Sequence, residues 1–191
     1  MTATVLLING VNLLDGLDGL AAGMGFIVLF WLALCGAGAS ALILMAALAG
    51  FLVYNMRHPW RGRACVFLGD AGSMALGLGL AWFCINLSQL PHVIIKPVAV
   101  AWLLALPIYD TCAQFARRVS QGRHPFDPDH DHFHHHFLYA GLSHGRATAA
   151  ILLLSFLMGG VGVGGIAVGI PEYVLGYLWV ALLFAHMYMS M

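Results

Sequence analysis

From residue 19 to residue 56 the chain carries no Asp, Glu, Lys or Arg. A helix rises about 1.5 Å per residue, so this run is far too long for a single crossing of a roughly 30 Å hydrocarbon layer. It predicts two apolar helices, with Gly36-Ala-Gly-Ala-Ser40 turning the chain between them. Further uncharged stretches cover 71–95, 147–171 and 173–191, and 97–116 is interrupted only by Asp110. Six spans are therefore predicted, all helical, because a helix satisfies its own backbone in lipid. The expected fold is all-α, a polytopic membrane helical bundle of about six transmembrane helices with cytoplasmic catalytic loops. Composition agrees: 61% of the 191 residues are hydrophobic, 8% are charged, and mean hydropathy is +0.89, a balance that no soluble core could bury.

The four cysteines, Cys35, Cys65, Cys84 and Cys112, are scattered singly and read as packing residues rather than a disulfide or zinc framework. Net charge is zero with histidine neutral, so no nucleic-acid partner is expected. The N-terminus lacks the basic flank and cleavage site of a signal peptide. Its opening, Met1-Thr-Ala-Thr-Val-Leu-Leu-Ile8, is apolar but too short to span, and so reads as the start of a fragment that begins inside a helix.

Seven of the eight basic residues fall in two connections: Arg57, Arg61 and Arg63 in one, Arg117, Arg118, Arg123 and Arg146 in the other. Basic loops face the cytoplasm. Counting spans from that anchor puts the run at residues 9–19, the Arg57 connection and the Arg117 connection on one membrane face. Polar motifs far apart in sequence are thereby expected to share one site.

Three motifs carry the chemistry. In Asn9-Gly-Val-Asn-Leu-Leu-Asp-Gly-Leu-Asp-Gly19, the residues Asn9, Asn12, Asp15 and Asp18 recur every three positions. On a helix they would drift slowly around one face and converge on a ligand, their oxygens suiting magnesium or a nucleobase edge. The plainer reading is a capped helix end whose glycines let helices approach. In Phe67-Leu-Gly-Asp-Ala-Gly-Ser73, Asp70 directly precedes an uncharged run, where a carboxylate faces the positive end of a helix dipole and could bind a cation. As a lone residue it would be an N-cap. The third, Arg123-His-Pro-Phe-Asp-Pro-Asp-His-Asp-His-Phe-His-His-His136, is the densest polar stretch. Its histidines fit phosphate contact beside the arginines, a zinc site, or a solvated loop. Asp110 lies about two turns before Arg117, near the end of its span. Intramembrane carboxylates are functional by default, and its role is open between function and a structural hydrogen bond.

Together, Asn9-x-x-Asn12-x-x-Asp15-Gly-Leu-Asp18, Phe67-Leu-Gly-Asp70-Ala-Gly-Ser73 and Pro125-Phe-x-Pro-Asp129-x-x-His132-Phe-His134-His135 resemble the polyprenyl-phosphate N-acetylhexosamine-1-phosphate transferases. The resemblance runs from Thr2 onward, and Pro-Phe-x-Pro-Asp is similar to the N-acetylglucosamine branch, which makes lipid carriers for surface polysaccharides such as lipopolysaccharide and teichoic acid. It implies transfer of a sugar 1-phosphate, GlcNAc-1-phosphate above all, from a UDP-N-acetylhexosamine to a polyprenyl phosphate, releasing UMP. The implied cofactor is Mg2+, with Mn2+ as its substitute. By similarity Asn12 and Asp70 would hold the metal, Asp15 and Asp18 would line the nucleotide site with Asn9 beside them, and His132, His134 and His135 would contact the substrate phosphates. Arg118 and Arg123 would be further phosphate partners, and Asp70, Asp15 and His134 would carry catalysis. The implied location is the bacterial inner membrane, with the active site on the cytoplasmic face and room for a homodimer.

The family carries an adjacent aspartate pair that this chain lacks. The chain is thus expected to be the C-terminal half of a longer transferase and inactive alone. The rival readings are an inactive transferase remnant, and a membrane transporter or metal-binding protein that uses the histidine loop as a metal site.

Overall fold

A computed structural model describes residues 2–57, 61–89, 91, 93–124 and 132–190. Its regular structure is helical. Among the described residues the order is α1 (Thr2–Leu14), α2 (Leu20–Leu34), α3 (Gly38–Asn55), α4 (Gly69–Ser88), α5 (Pro97–Leu103), α6 (Ala105–Ser120), α7 (Phe133–Tyr139), α8 (His144–Ala167) and α9 (Glu172–Met189).

All six apolar runs are helical, but among the described residues four helices, or five spans with the bent pair, are long enough to cross a membrane rather than six. α3, α4, α8 and α9 are long and apolar enough to cross a membrane. α2, at 15 residues, is shorter, because left-handed glycines bracket it: Gly19 at φ 79° before it and Gly36 at φ 99° after it. The run 97–116 is a broken span, α5 and α6 meeting at 71°. Pro107 accounts for the break, since it has no N–H for the Leu103 carbonyl and its ring crowds that carbonyl.

The core lies where α1, α2 and α4 meet the broken span and α8, with Val11, Ala21, Leu29, Leu80, Ala105 and Ile151 all at 1% exposure or less. α1 and α4 approach at backbone distance. A Cβ on Gly77 would lie 2.8 Å from the Ile8 Cα, so a larger residue there would push the helices apart. α9 is fastened to the broken span by polar groups that would otherwise be stranded in an apolar layer. Trp102 Nε1 donates to the Leu175 carbonyl (3.2 Å), Trp179 Nε1 to the Ala101 carbonyl (2.9 Å), and the Tyr109 hydroxyl to the Trp179 carbonyl (2.6 Å).

The connections sort to the two ends of the bundle. At one end the α2–α3 turn reaches the segment before α5, Gly36 facing the Ile94 side chain, and Lys96 pairs with Glu172 at 3.2 Å. At the other, Asp18 pairs with Arg57, and the Thr148 hydroxyl donates to the Asp18 carbonyl (3.2 Å). The described parts of the three motif regions share that second end.

Candidate active site

The helical face expected to carry Asn9 through Asp18 is cut short. α1 ends at Leu14 and residues 15–19 turn, so Asp15 and Asp18 are loop residues. Asn9 is exposed and donates to the Val5 carbonyl one turn back (2.9 Å), away from the others. Asn12, Asp15 and Asp18 do meet. With Gly16, Leu17, Asn55, Phe67, Gly69 and Asp70 they line a polar cavity of about 290 Å³.

Hydrogen bonds shape this cavity. The Ser73 hydroxyl donates to Asn12 Oδ1 (2.6 Å), joining the end of α1 to the first turn of α4. Asp70 lies inside that turn, with Leu68 in the cap position, and is exposed to solvent. Asp15 accepts the Gly69 N–H. Burial pushes the Asp15 carboxyl up to about 6, the neighbouring Asp70 adds to the rise, and the Gly69 N–H opposes it. Asp18 is different: its Oδ2 accepts from Arg57 Nε (2.6 Å) and from the Ala64 N–H (3.1 Å), so its charge is already paired. Asn55 is 4% exposed and bridges two loops, accepting the Gly19 N–H (3.0 Å) and donating to the Val66 carbonyl (2.7 Å).

The histidines stand directly beside this cavity. A Cβ on Gly16 would lie 2.6 Å from His134 Nε2, so the ring sits where only a glycine leaves room. His134 is buried, its ring parallel to that of His132 (5.6 Å between centroids, 5° between planes) and 4.1 Å from that of His135. Burial lowers the His134 pKa to about 4, helped by His135 and His132 and opposed by Asp110, so the ring is neutral at pH 7. It can meet an anion as a dipole but not as a cation.

The open question of Asp110 has a structural answer. Its Oδ1 accepts the Phe133 N–H (2.9 Å) and its Oδ2 the Gln114 amide (3.0 Å), so it moors the first turn of α7 to α6. Arg118, read from sequence as a phosphate partner, is 4% exposed and donates to Gln114 Oε1 (3.0 Å). Arg123 is exposed just beyond α6. The Pro125–Asp131 part of the third motif lies outside the described residues. Sequence reasoning missed Asn55 and Gln114, and read Arg57 as a topology signal rather than as the partner of Asp18. Both missed residues are amides, one at a helix end and one in a span, and a lone amide gives no pattern to find.

A magnesium ion takes oxygen ligands and commonly binds through one or two carboxylates, keeping waters and substrate phosphates for the rest. The donors here fit that habit: the Asp15 and Asp70 carboxylates near enough to feel each other, with the Asn12 amide oxygen on the same cavity. Among the described residues no three His, Cys, Asp or Glu side chains are grouped as a metal site would need.

Residues 1–88 match the model of the family described as glycosyl transferase family 4. The chain is 30% identical over 189 residues to the undecaprenyl-phosphate alpha-N-acetylglucosaminyl 1-phosphate transferase of Escherichia coli K12, a match covering 95% of this chain and 51% of that protein. The chain belongs to glycosyl transferase family 4. Other family members are similar: the Yersinia pestis enzyme of the same name, 33% identical over 88% of this chain and 48% of its own; and a probable undecaprenyl-phosphate N-acetylglucosaminyl 1-phosphate transferase of Bacillus subtilis 168, 35% identical over 78% and 42%. The chain spans about half the length of the curated relatives it matches. Its match to the family model takes in Asn12, Asp15, Asp18 and Asp70, whereas the histidine cluster lies within the match to the Escherichia coli relative.

Proposed function

We propose that this chain supplies the metal, nucleotide and phosphate-binding half of a transferase that moves GlcNAc-1-phosphate from UDP-GlcNAc to a polyprenyl phosphate, releasing UMP at the cytoplasmic face of a bacterial inner membrane. The observation that carries this reading is the convergence of Asn12, Asp15 and Asp70 on one cavity with His134 packed against its wall at Gly16. The names of the relatives support this acceptor and this sugar.

The chemistry joins two anions. A phosphate monoester has a second pKa near 6, so the lipid phosphate is largely dianionic at neutral pH and attacks without a strong base. What opposes reaction is charge. Asp15 and Asp70 would hold Mg2+, which when bound neutralises the diphosphate and stabilises the departing UMP. Asn12, fixed by Ser73, would complete that oxygen set. Phe67, exposed at the cavity rim, offers a flat apolar face to the base. Asp18, paired with Arg57, shapes the nucleotide side of the cavity as a neutral unit. His132, His134 and His135 would donate N–H groups to phosphate oxygens, and in a site closed to water such donors act where charge develops. We favour direct attack by the lipid phosphate on the β-phosphorus.

The test is transfer of labelled GlcNAc-1-phosphate to undecaprenyl phosphate by the chain co-expressed with the N-terminal half of a family relative. Asp70→Asn keeps the shape of the side chain and removes a metal charge, and should reduce turnover on the order of a hundredfold or more. Near-normal turnover by Asp70→Asn would remove Asp70 from the site. The chain alone is expected to show no lipid-phosphate-dependent exchange between UMP and UDP-GlcNAc.

A further inference from the structure

We propose that Gln114 is a positioning residue that sets the tautomer of His132, holding the ring with a bare Nδ1 and its proton on Nε2. On α6, Asp110, Gln114 and Arg118 follow one another at four-residue spacing and so line one helix face. They are 3%, 2% and 4% exposed, so bulk solvent does not compete for the hydrogen bonds between them. Arg118 holds only donors, and one of its terminal nitrogens lies 3.0 Å from Gln114 Oε1. Asp110 Oδ2 accepts from Gln114 Nε2 at 3.0 Å. Reversing the amide would set its NH2 against a guanidinium and its carbonyl against a carboxylate. Its orientation is therefore determined from both ends, which is the argument such an assignment needs.

The amide nitrogen has two hydrogens. One goes to Asp110, and the other faces His132 Nδ1 at 2.6 Å. A donor that cannot turn away requires an acceptor opposite it, so Nδ1 is unprotonated and the neutral ring carries its proton on Nε2. The alternative is an Nδ1–H donated to Asp110 Oδ2, but that separation is 3.7 Å, against 2.6 Å to the Gln114 amide, so Gln114 is the partner that Nδ1 meets. The other Asp110 oxygen is occupied by the Phe133 N–H.

His135 reaches the same tautomer independently. Its Nδ1 accepts the backbone N–H of His132 at 3.1 Å, and a backbone amide can only donate. Two of the three clustered histidines thus turn lone pairs inward and keep Nε2–H groups as donors. The consequence for phosphate recognition rests on the transferase reading: the opposite tautomer would place a lone pair on Nε2 against an anionic oxygen. The tautomer itself does not depend on that reading.

The test is 15N NMR of the whole chain in a lipid nanodisc, labelled at histidine. The pH is held well above the ordinary histidine pKa of about 6.5 so that the rings are neutral. Signals of His132 and His135 are assigned by single His→Ala replacement. Both rings should show a bare Nδ1 and a protonated Nε2. Gln114→Met, close in volume but without a donor, leaves Asp110 as the nearest partner, so His132 should move to the Nδ1–H form while His135 stays as it was. A protonated Nδ1 on His132 in the unaltered chain would overturn the proposal even if the variant failed to fold. So would a His132 tautomer unchanged in Gln114→Met. No substrate is present, so either result leaves the transferase reading to be judged by its own assay.

Discussion

At the scale of single residues, Asp15 is the group whose ionisation most departs from the ordinary. Its pKa is about 6 in the fold against 3.8 for a free carboxyl, so between those values the folded chain holds a proton that the unfolded chain has released. Stability therefore falls as pH rises through that window and is level above it. Asp15→Asn, which cannot ionise, should be more stable than the parent above pH 6 and equal to it below about pH 4. The full shift would correspond to about 3 kcal/mol, but the group is half exposed and screening reduces the expected gain to on the order of 1 kcal/mol. Thermal melts across pH in chelator would show it, and a parent that is the more stable at pH 7 would refute the cause assigned here. Gly16 offers a second check. Overpacking of this kind costs roughly 1–3 kcal/mol, so Gly16→Ala should destabilise the parent but have little effect in a His134→Ala background, where the obstructing ring is gone. Equal effects in both backgrounds would separate the Asp loop from the histidines. Asp15, Asp70 and His134 could be picked out from sequence because each sits in a patterned motif. The charge states could not, since they come from burial and from neighbours dozens of residues away.

Among the elements, the loops beside α2, α3 and α4 depend on buried amides and paired charges more than on propensity. Asn55 satisfies a donor and an acceptor in two different loops, and Asn55→Ala would leave both backbone groups unmet. A loss of about 1–3 kcal/mol is expected, the usual consequence of stranding buried polar groups. Asn55→Asp should recover only the bond from Gly19, because a carboxylate cannot donate to Val66. Chemical denaturation of the three forms should rank them parent, Asp, Ala, and Ala matching the parent would remove Asn55 from the loop architecture. The helices themselves were legible as uncharged runs, because a lipid-facing segment has few alternatives. Where they stop was less so. α1 was expected to carry its polar face on to Asp18, but Gly16 and Gly19 follow Leu14 closely and the chain turns. The break in 97–116 does not follow from the uncharged run, which reads as one span; Pro107, with no N–H for the Leu103 carbonyl, accounts for it once the direction of α5 relative to α6 is known.

In the molecule as a whole, three segments distant in sequence converge at one end of a helical membrane bundle. The arginine distribution implied that convergence before any contact was known, and the Asp18–Arg57 pair and the His134–Gly16 approach embody it. The face it occupies is a separate matter of orientation. In a background without native cysteines, a cysteine at position 121 should resist impermeant thiol reagents in intact cells, while one at 93 should react. Reversed labelling would invert the topology. The shared site is tested most directly by titrating Mn2+, a paramagnetic stand-in for Mg2+, into the histidine-labelled chain. An ion held by Asp15 and Asp70 should broaden the His134 ring signals, and Asp70→Asn should abolish the broadening. Sharp His134 signals at saturating Mn2+ would contradict the single site, and broadening that survives Asp70→Asn would place the metal on the histidines instead.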